Sequence, residues 1–284
     1  VKNVFIASGP VMTAEEQRRI STFIEEEFGI RMPESKKSLL EGRLAKRVVK
    51  CAKATYREYF DFILRDPQGR DEFLVFQDLV STHETSFFRE ERHFQYLEQG
   101  ILPSLLGQEN RKSLDVLSAP CSTGEEVYSL AMVIDKALEV HRRRTLPFLV
   151  EGIDLSTRAI AIADRAVYLA DRTKTIPLEV KHRYLMHSKN RDKPFCRIVP
   201  ELRERVVFHP GNLLNSLNLL QPTYDIIFCR NVLIYFDQAN QRSALSRLLN
   251  HLKPKGFLFL GHSESMLGLN LPVRSVAQAV FQKT

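Results

Sequence analysis

"SAPCSTGEEVYSL", residues 118–130, follows the apolar run "LDVLS" (114–118) and leads into a helical pattern from Glu125 to Val140. A strand passing through a short loop into a helix is the opening unit of a doubly wound α/β domain. In such a sheet the ligand lies outside the carboxyl ends of the strands, on this loop. A loop built for phosphate would carry several glycines, a lysine and a helix N-terminus left open for the anion. This one has Gly124 alone and no lysine, and it runs straight into Glu125 and Glu126, where a phosphate would sit. The substitution points to a ligand without phosphate that offers hydroxyls or a positive charge.

Working outward, short apolar or β-branched runs alternate with helical patterns: "FLVEGID" (148–154), a helix from Ser156 to Val167, "VVFHP" (206–210), "YDIIFCRN" (224–231) and "GFLFLGH" (256–262). Runs apolar on both faces and separated by helices predict a parallel sheet covered on both sides. The stretch "RYLMHSKNRDKPFCRIV" reads instead as two short strands around a polar turn at Lys189 to Asp192, after a short helix beginning near Pro177. It predicts a small antiparallel β insert at about residues 175–205. Upstream, Thr13 with Glu16 and Thr55 with Glu58 have capping-box spacing, and Ile20, Phe23, Ile24 and Phe28 share one helical face. A further helical pattern covers Asp71 to Val80, after a turn at Asp66-Pro67-Gln68-Gly69. Residues 1–88 are therefore expected to form a small all-α domain and 89–284 the α/β domain.

The 284 residues exceed one average domain, and 44% hydrophobic with 26% charged residues is an ordinary globular composition. Lys and Arg outnumber Asp and Glu by 41 to 34, a net charge of +7, which favours an acidic partner. Cys51, Cys121, Cys196 and Cys229 form no CxxC or Cys/His cluster, so neither a disulfide framework nor a metal site is expected and the compartment reads as reducing. The opening "VKNVFIASGPVM" is too soon broken for a signal peptide, and no uncharged run reaches the ~18 residues of a membrane span. A cytoplasmic protein without membrane insertion is the expectation.

The second strand ends in Asp154, placed to accept hydrogen bonds from ribose hydroxyls. A nucleoside carrying positive charge in place of phosphate describes S-adenosylmethionine. A structural reading stands beside this one: Glu125 and Glu126 complement a helix dipole, and Asp154 caps a helix.

Six stretches, "THETSFFRE" (82–90), "STGEEVYSLAM" (122–132), "GIDLS" (152–156), "GNLL" (211–214), "FCRNVLIYF" (228–236) and "GHSES" (261–265), occur in the order found in a known family. Through them the chain resembles the chemotaxis receptor methyltransferases (CheR), which methylate glutamate side chains of chemoreceptors. The resemblance covers nearly the whole chain and implies a Rossmann-like class I methyltransferase domain behind the helical domain. It also implies S-adenosylmethionine as cofactor, with S-adenosylhomocysteine as product. Position by position, its cofactor contacts fall on His83, Thr85, Arg89, Gly124, Glu126, Asp154, Asn212, Leu213, Arg230 and Asn231. His83 stands where many members have Asn, and Pro120 and Cys121 stand where small residues such as Ala are common.

For an acceptor carboxylate, Arg89 is expected to steer it and Tyr235 to fix its orientation by a hydrogen bond. The implied partner is a chemoreceptor helix bearing methylatable glutamates, with a receptor C-terminal tail peptide as a possible second ligand of the insert. A monomer is expected. In "SLLEGRLAKRVVKC" the stripe Leu40, Leu44, Val48, Cys51 lies beside a basic ridge of Arg43, Lys46, Arg47 and Lys50, suited to an acidic receptor helix. Two alternatives remain: a nucleic-acid methyltransferase, for which no aromatic-rich binding module or zinc ligands are present in the sequence, and a cofactor-binding receptor scaffold without catalysis.

Overall fold

Two reciprocal hydrogen bonds start the first helix in the computed structural model, which describes residues 10–189, 192 and 194–284. The Thr13 hydroxyl accepts the Glu16 N–H at 3.1 Å, and the Glu16 carboxylate accepts the Thr13 N–H at 2.8 Å. This capping box opens α1 (Ala14–Phe28), which Gly29 ends at φ +74. Next come α2 (Lys37–Lys50), α3 (Tyr56–Arg65) and α4 (Arg70–Val80). The expected box at Thr55 is realised by half: Thr55 accepts the Glu58 N–H, but the Glu58 carboxylate takes the Ala54 N–H instead of that of Thr55. Ile20, Ile24, Leu44, Val48, Phe60 and Phe76 form the interior, with Phe23 edge-on to Phe60 at 5.2 Å. Each such aliphatic or aromatic side chain stabilises by about 1.5–3 kcal/mol through burial. The described residues of Val1–Thr82, joined by Tyr235–Asp237, make one compact unit.

The second unit comprises His83–Ile234 and Gln238–Thr284. After α5 (Glu91–Tyr96) and α6 (Leu102–Leu106), β1 (Leu114–Ser118), α7 (Glu125–Val140) and β2 (Phe148–Asp154) follow the bounds read from the sequence. The helix α8 ends earlier than expected, at Thr157–Arg165, because Ala166 turns left-handed at φ +56. Val167–Leu169 is a strand, β3, and not the end of that helix. Beyond α9 (Leu178–Tyr184), β4 (Leu185–His187) and β5 (Phe195–Ile198) complete a three-stranded antiparallel sheet of order β3-β5-β4, with β5 pairing to both neighbours. The insert thus reaches back to Val167, ahead of the predicted 175. Within its turn, residues 190, 191 and 193 lie outside the described residues.

The chain continues through α10 (Pro200–Arg203), β6 (Val206–Pro210), β7 (Tyr224–Cys229), α11 (Gln238–Asn250) and β8 (Leu252–Leu260). A hairpin of β9 (Val273–Ala277) and β10 (Val280–Lys283) follows, which the sequence reading did not foresee. The main sheet has the order β6-β2-β1-β7-β8-β10-β9. Its first five strands are parallel, β10 runs antiparallel to β8 and β9 antiparallel to β10, so the sheet is mixed at one edge. Every residue of β7 is buried, as a strand covered on both faces requires. Among the described residues no helix is long and apolar enough to cross a membrane.

Candidate functional site

β1 lies between β2 and β7, with Ser118 in register with Gly152 and Phe228. Chain order reverses there, so the loops after β1, β2, β6, β7 and β8 leave on one edge, beside a topological switch point. The first loop is drawn over the strand ends by its backbone: Ala119 N–H donates to the Phe228 carbonyl at 2.8 Å and Cys121 N–H to that of Ile153 at 2.9 Å. Gly124 closes the loop at φ +92, where a Cβ would stand 2.7 Å from the Ala163 Cβ and 3.0 Å from the Tyr168 hydroxyl. The glycine is demanded by both backbone and packing.

The two adjacent carboxylates part ways. Glu125 is fully buried, ion-paired with Arg172 and hydrogen-bonded by the Thr123 hydroxyl, so it serves the fold. Glu126 accepts the Ser118 hydroxyl and Arg230 Nη1, each at 2.8 Å. Burial pushes the Glu126 carboxyl above its usual range, with Arg230 opposing. Asp154, 6% exposed, accepts the N–H groups of Ser122 at 2.7 Å and Ser156 at 2.9 Å, which fix its orientation. Burial, then Asp154 and Glu126, push the Cys121 thiol far up. Cys121 is therefore an uncharged lining and no nucleophile.

Arg230 is the hub of the edge. Its Nη1 reaches Glu126, and its Nη2 reaches Glu90 at 2.9 Å and the Arg89 carbonyl at 2.6 Å. The guanidinium thereby ties Glu126, Glu90 and the Arg89 carbonyl together at the strand ends. Burial raises the Glu90 carboxyl, but Arg230 and Asn231 outweigh it and bring it down to about 2. Beside them His93 is buried, and desolvation with Arg230 lowers it to about 4, so it is neutral at pH 7.

Asn231 donates from Nδ2 to Glu90 at 3.2 Å and from its backbone to Glu264. The Glu264 carboxylate also accepts the N–H groups of Val232, Leu233 and Gly261, at 2.6–2.8 Å, tying the loop after β7 to that after β8. Asn212 builds a turn, accepting the Leu214 N–H on Oδ1 at 2.9 Å, and Leu213 is buried. Ser122 Oγ donates to the His83 carbonyl at 3.3 Å. Arg89 donates from Nη1 to the Glu84 carbonyl at 2.8 Å, and Thr85 and Arg89 are both half-buried. Phe88, Glu90, Ser122 and Asn231 hold φ between +48° and +60°. Left-handed non-glycine residues cost about 1–3 kcal/mol each and gather at functional sites.

All ten candidate cofactor residues thus belong to the α/β unit. Tyr235 belongs to the helical unit, where its carbonyl accepts the Arg31 N–H at 2.8 Å and the Lys36 ammonium stands 5.8 Å from its ring. The basic ridge on α2 is divided. Arg43 donates to the Val80 carbonyl and Thr82, and Arg47 grips Glu72 with both arms, whereas Lys46 and Lys50 are exposed. Sequence reasoning missed Ser118, Ser122, Glu90 and Glu264, although all four lie within quoted stretches.

The donor set suits S-adenosylmethionine. Glu90, Glu126 and Asp154 against the one buried guanidinium of Arg230 leave the edge negative, as a bound cation requires, and no lysine is present in the first loop to hold a phosphate.

The family model described as "CheR methyltransferase, SAM binding domain" matches residues 83–281, and "CheR methyltransferase, all-alpha domain" matches residues 15–76. The chain is 32% identical over 276 residues to the chemotaxis protein methyltransferase of Borreliella burgdorferi, covering 96% of this chain and 95% of that one. It is 33% identical over 269 residues to chemotaxis protein methyltransferase 2 of Pseudomonas aeruginosa, covering 95% and 93%. With the chemotaxis protein methyltransferase of Escherichia coli the identity is 33% over 266 residues, covering 93% and 89%. The chain belongs to the CheR methyltransferase family and is an S-adenosylmethionine-dependent methyltransferase.

Proposed function

We propose that this chain transfers the methyl group to glutamate side-chain carboxylates of chemoreceptors, forming methyl esters for sensory adaptation in the cytoplasm. The observation that carries the choice of acceptor is Arg89. Its backbone carbonyl is held by Arg230, and its guanidinium gives one bond to Glu84. A guanidinium has five N–H donors, so it retains capacity for a carboxylate.

S-adenosylmethionine, when bound, supplies a methyl group activated by a positively charged sulfur. His83, Thr85, Arg89, Gly124, Glu126, Asp154, Asn212, Leu213, Arg230 and Asn231 would hold it, with Arg230 also keeping Glu126 and the Arg89 carbonyl in place. A glutamate side chain is already an anion at neutral pH, so no residue of this chain has to remove a proton. What the residues contribute is orientation and exclusion of water. Arg89 steers the carboxylate, and Tyr235 orients it.

Lys46 and Lys50 are the exposed part of the ridge and receive an acidic receptor helix, while Arg43 and Arg47 brace α2 behind them. The outer face of the insert exposes Leu169, Met186 and Phe195, and its edge strands β3 and β4 suit an extended receptor tail. The protein acts as a monomer. The test is transfer of labelled methyl from the cofactor to receptor protein, to nucleic acid, and to neither. Base-labile label on receptor glutamates is expected. Label on RNA or DNA would favour a nucleic-acid methyltransferase, and none at all a scaffold. Tyr235→Phe is expected to slow turnover with cofactor affinity kept.

A further inference from the structure

His93, in α5, and His262, in the loop after β8, converge on Glu90. One ligand atom from each of the three side chains lies within 4.8 Å of the others. His93 Nδ1 is 3.4 Å from Glu90 Oε2, and His262 Nε2 is 4.0 Å from the same oxygen. The tautomer of His93 follows from its other nitrogen. Nε2 faces the Gln278 carbonyl at 3.4 Å, and a carbonyl only accepts, so Nε2 carries the hydrogen. Nδ1 then presents a lone pair toward a carboxylate oxygen. Two acceptors face each other, and among the described residues the buried Nδ1 has no hydrogen-bond partner.

We propose that Glu90, His93 and His262 form a binding site for a divalent transition-metal ion such as Zn²⁺, and that the ion weakens cofactor binding. Two imidazoles and a carboxylate are a ligand set that zinc accepts. With bonds of about 2.0–2.2 Å, tetrahedral neighbours stand about 3.3 Å apart. His93 and Glu90 already have that separation, and His262, 4.0 Å from Glu90, needs to approach it by about 0.7 Å. His262 can make that movement: its side chain is 33% exposed, which also leaves an entry path and a fourth position for water. The bond from His93 Nε2 to a backbone carbonyl is the usual outer support of a ligating imidazole.

The ion would share Glu90 with Arg230, whose Nη2 donates to the same Oε2 at 2.9 Å. Positive charge there competes with the guanidinium, and the guanidinium is what holds Glu126 and the Arg89 carbonyl. The cost reaches the cofactor edge through that contact. By reciprocity, cofactor binding must weaken the metal by the same factor.

The experiment is calorimetric titration of Zn²⁺ into the full chain freed of metal by chelator, repeated with Co²⁺, whose absorption reports tetrahedral ligation. S-adenosylhomocysteine affinity is then measured with and without Zn²⁺. Removing His93 would open a hole beside Phe259, so the exposed His262 is the residue to change. One-to-one Zn²⁺ binding is expected in the parent chain, at least tenfold weaker in His262→Ala and unchanged in His182→Ala. Zn²⁺ should lower S-adenosylhomocysteine affinity in the parent chain and leave it unaltered in His262→Ala. Absence of saturable binding would overturn the proposal. So would an equal Zn²⁺ affinity, or an equal effect on S-adenosylhomocysteine, in His262→Ala.

Discussion

Arg47 in the helical unit and Arg230 in the α/β unit are both arginines spent on carboxylates, but they leave opposite residues of charge. Arg47 meets Glu72 one to one, and Glu72 is completed by the Tyr59 hydroxyl at 2.9 Å. The pair joins α2 to α4 and is balanced. Arg230 stands between two carboxylates, and its Nε has no hydrogen-bond partner among the described residues. Burial lifts Glu126, while the arginine lowers Glu90. A balanced, satisfied ion pair belongs to architecture. An unbalanced one with orphaned atoms, set among left-handed backbone at strand ends, belongs to a place that expects a ligand.

The sharpest way to break this contrast is to remove each arginine. Arg230→Met strands two carboxylates and is expected to cost about 3–5 kcal/mol of stability, the usual penalty for breaking a buried ion pair. It should also abolish measurable cofactor binding. Arg47→Met should lower stability by a smaller amount and leave cofactor affinity intact, as read by urea unfolding and by titration with S-adenosylhomocysteine. Loss of cofactor binding in both variants would show that the two clusters do not differ in kind.

Next in size is the pH response of the α/β unit. His93 falls from 6.5 to about 4 on folding. The unfolded chain therefore takes up the proton first as pH drops, so this contribution is complete above pH 6.5 and is lost between there and about pH 4. The loss is about 3 kcal/mol, at about 1.4 kcal/mol per unit. Unfolding in chelator across that window should show the slope, and His93→Gln should flatten it.

Asp154→Ala removes the expected ribose acceptor together with the anchor of the Ser122 amide. S-adenosylhomocysteine affinity should fall by about 1–3 kcal/mol, and calorimetry showing no change would remove Asp154 from the site. The smallest stability effect is expected on the exposed ridge. Lys46→Glu with Lys50→Glu should alter stability by less than about 0.5 kcal/mol and spare cofactor binding. Receptor methylation should slow at low salt, with the difference vanishing as salt rises. A wild-type rate at low salt would make those lysines a solvated face.

Local chemistry made much of this legible. The capping box of Thr13, the β1-loop-α7 unit and the five parallel strands each follow from residues adjacent in sequence, because hydrogen bonding and side-chain period are set within a few positions. The loop that replaces a phosphate cradle with Glu126 was readable for the same reason. Among the elements that escaped are β3 and the β9-β10 hairpin. In both, an alanine takes the left-handed turn that glycine or asparagine would have announced: Ala166 at φ +56 and Ala279 at φ +54. Alanine pays that strain only because tertiary contacts hold it there.

The acidity of the site divides along the same line. The sequence by itself determined that two glutamates begin α7, that Asp154 ends β2, and that the charged stretches follow the order of a methyltransferase family. Only the tertiary structure decided that Glu125 turns inward to Arg172 while Glu126 meets Arg230. It alone gathered Glu90, His93 and His262 from distant stretches. The physical reason is that composition fixes which charges exist, but burial and partners fix their energies, and both depend on residues far apart in the chain.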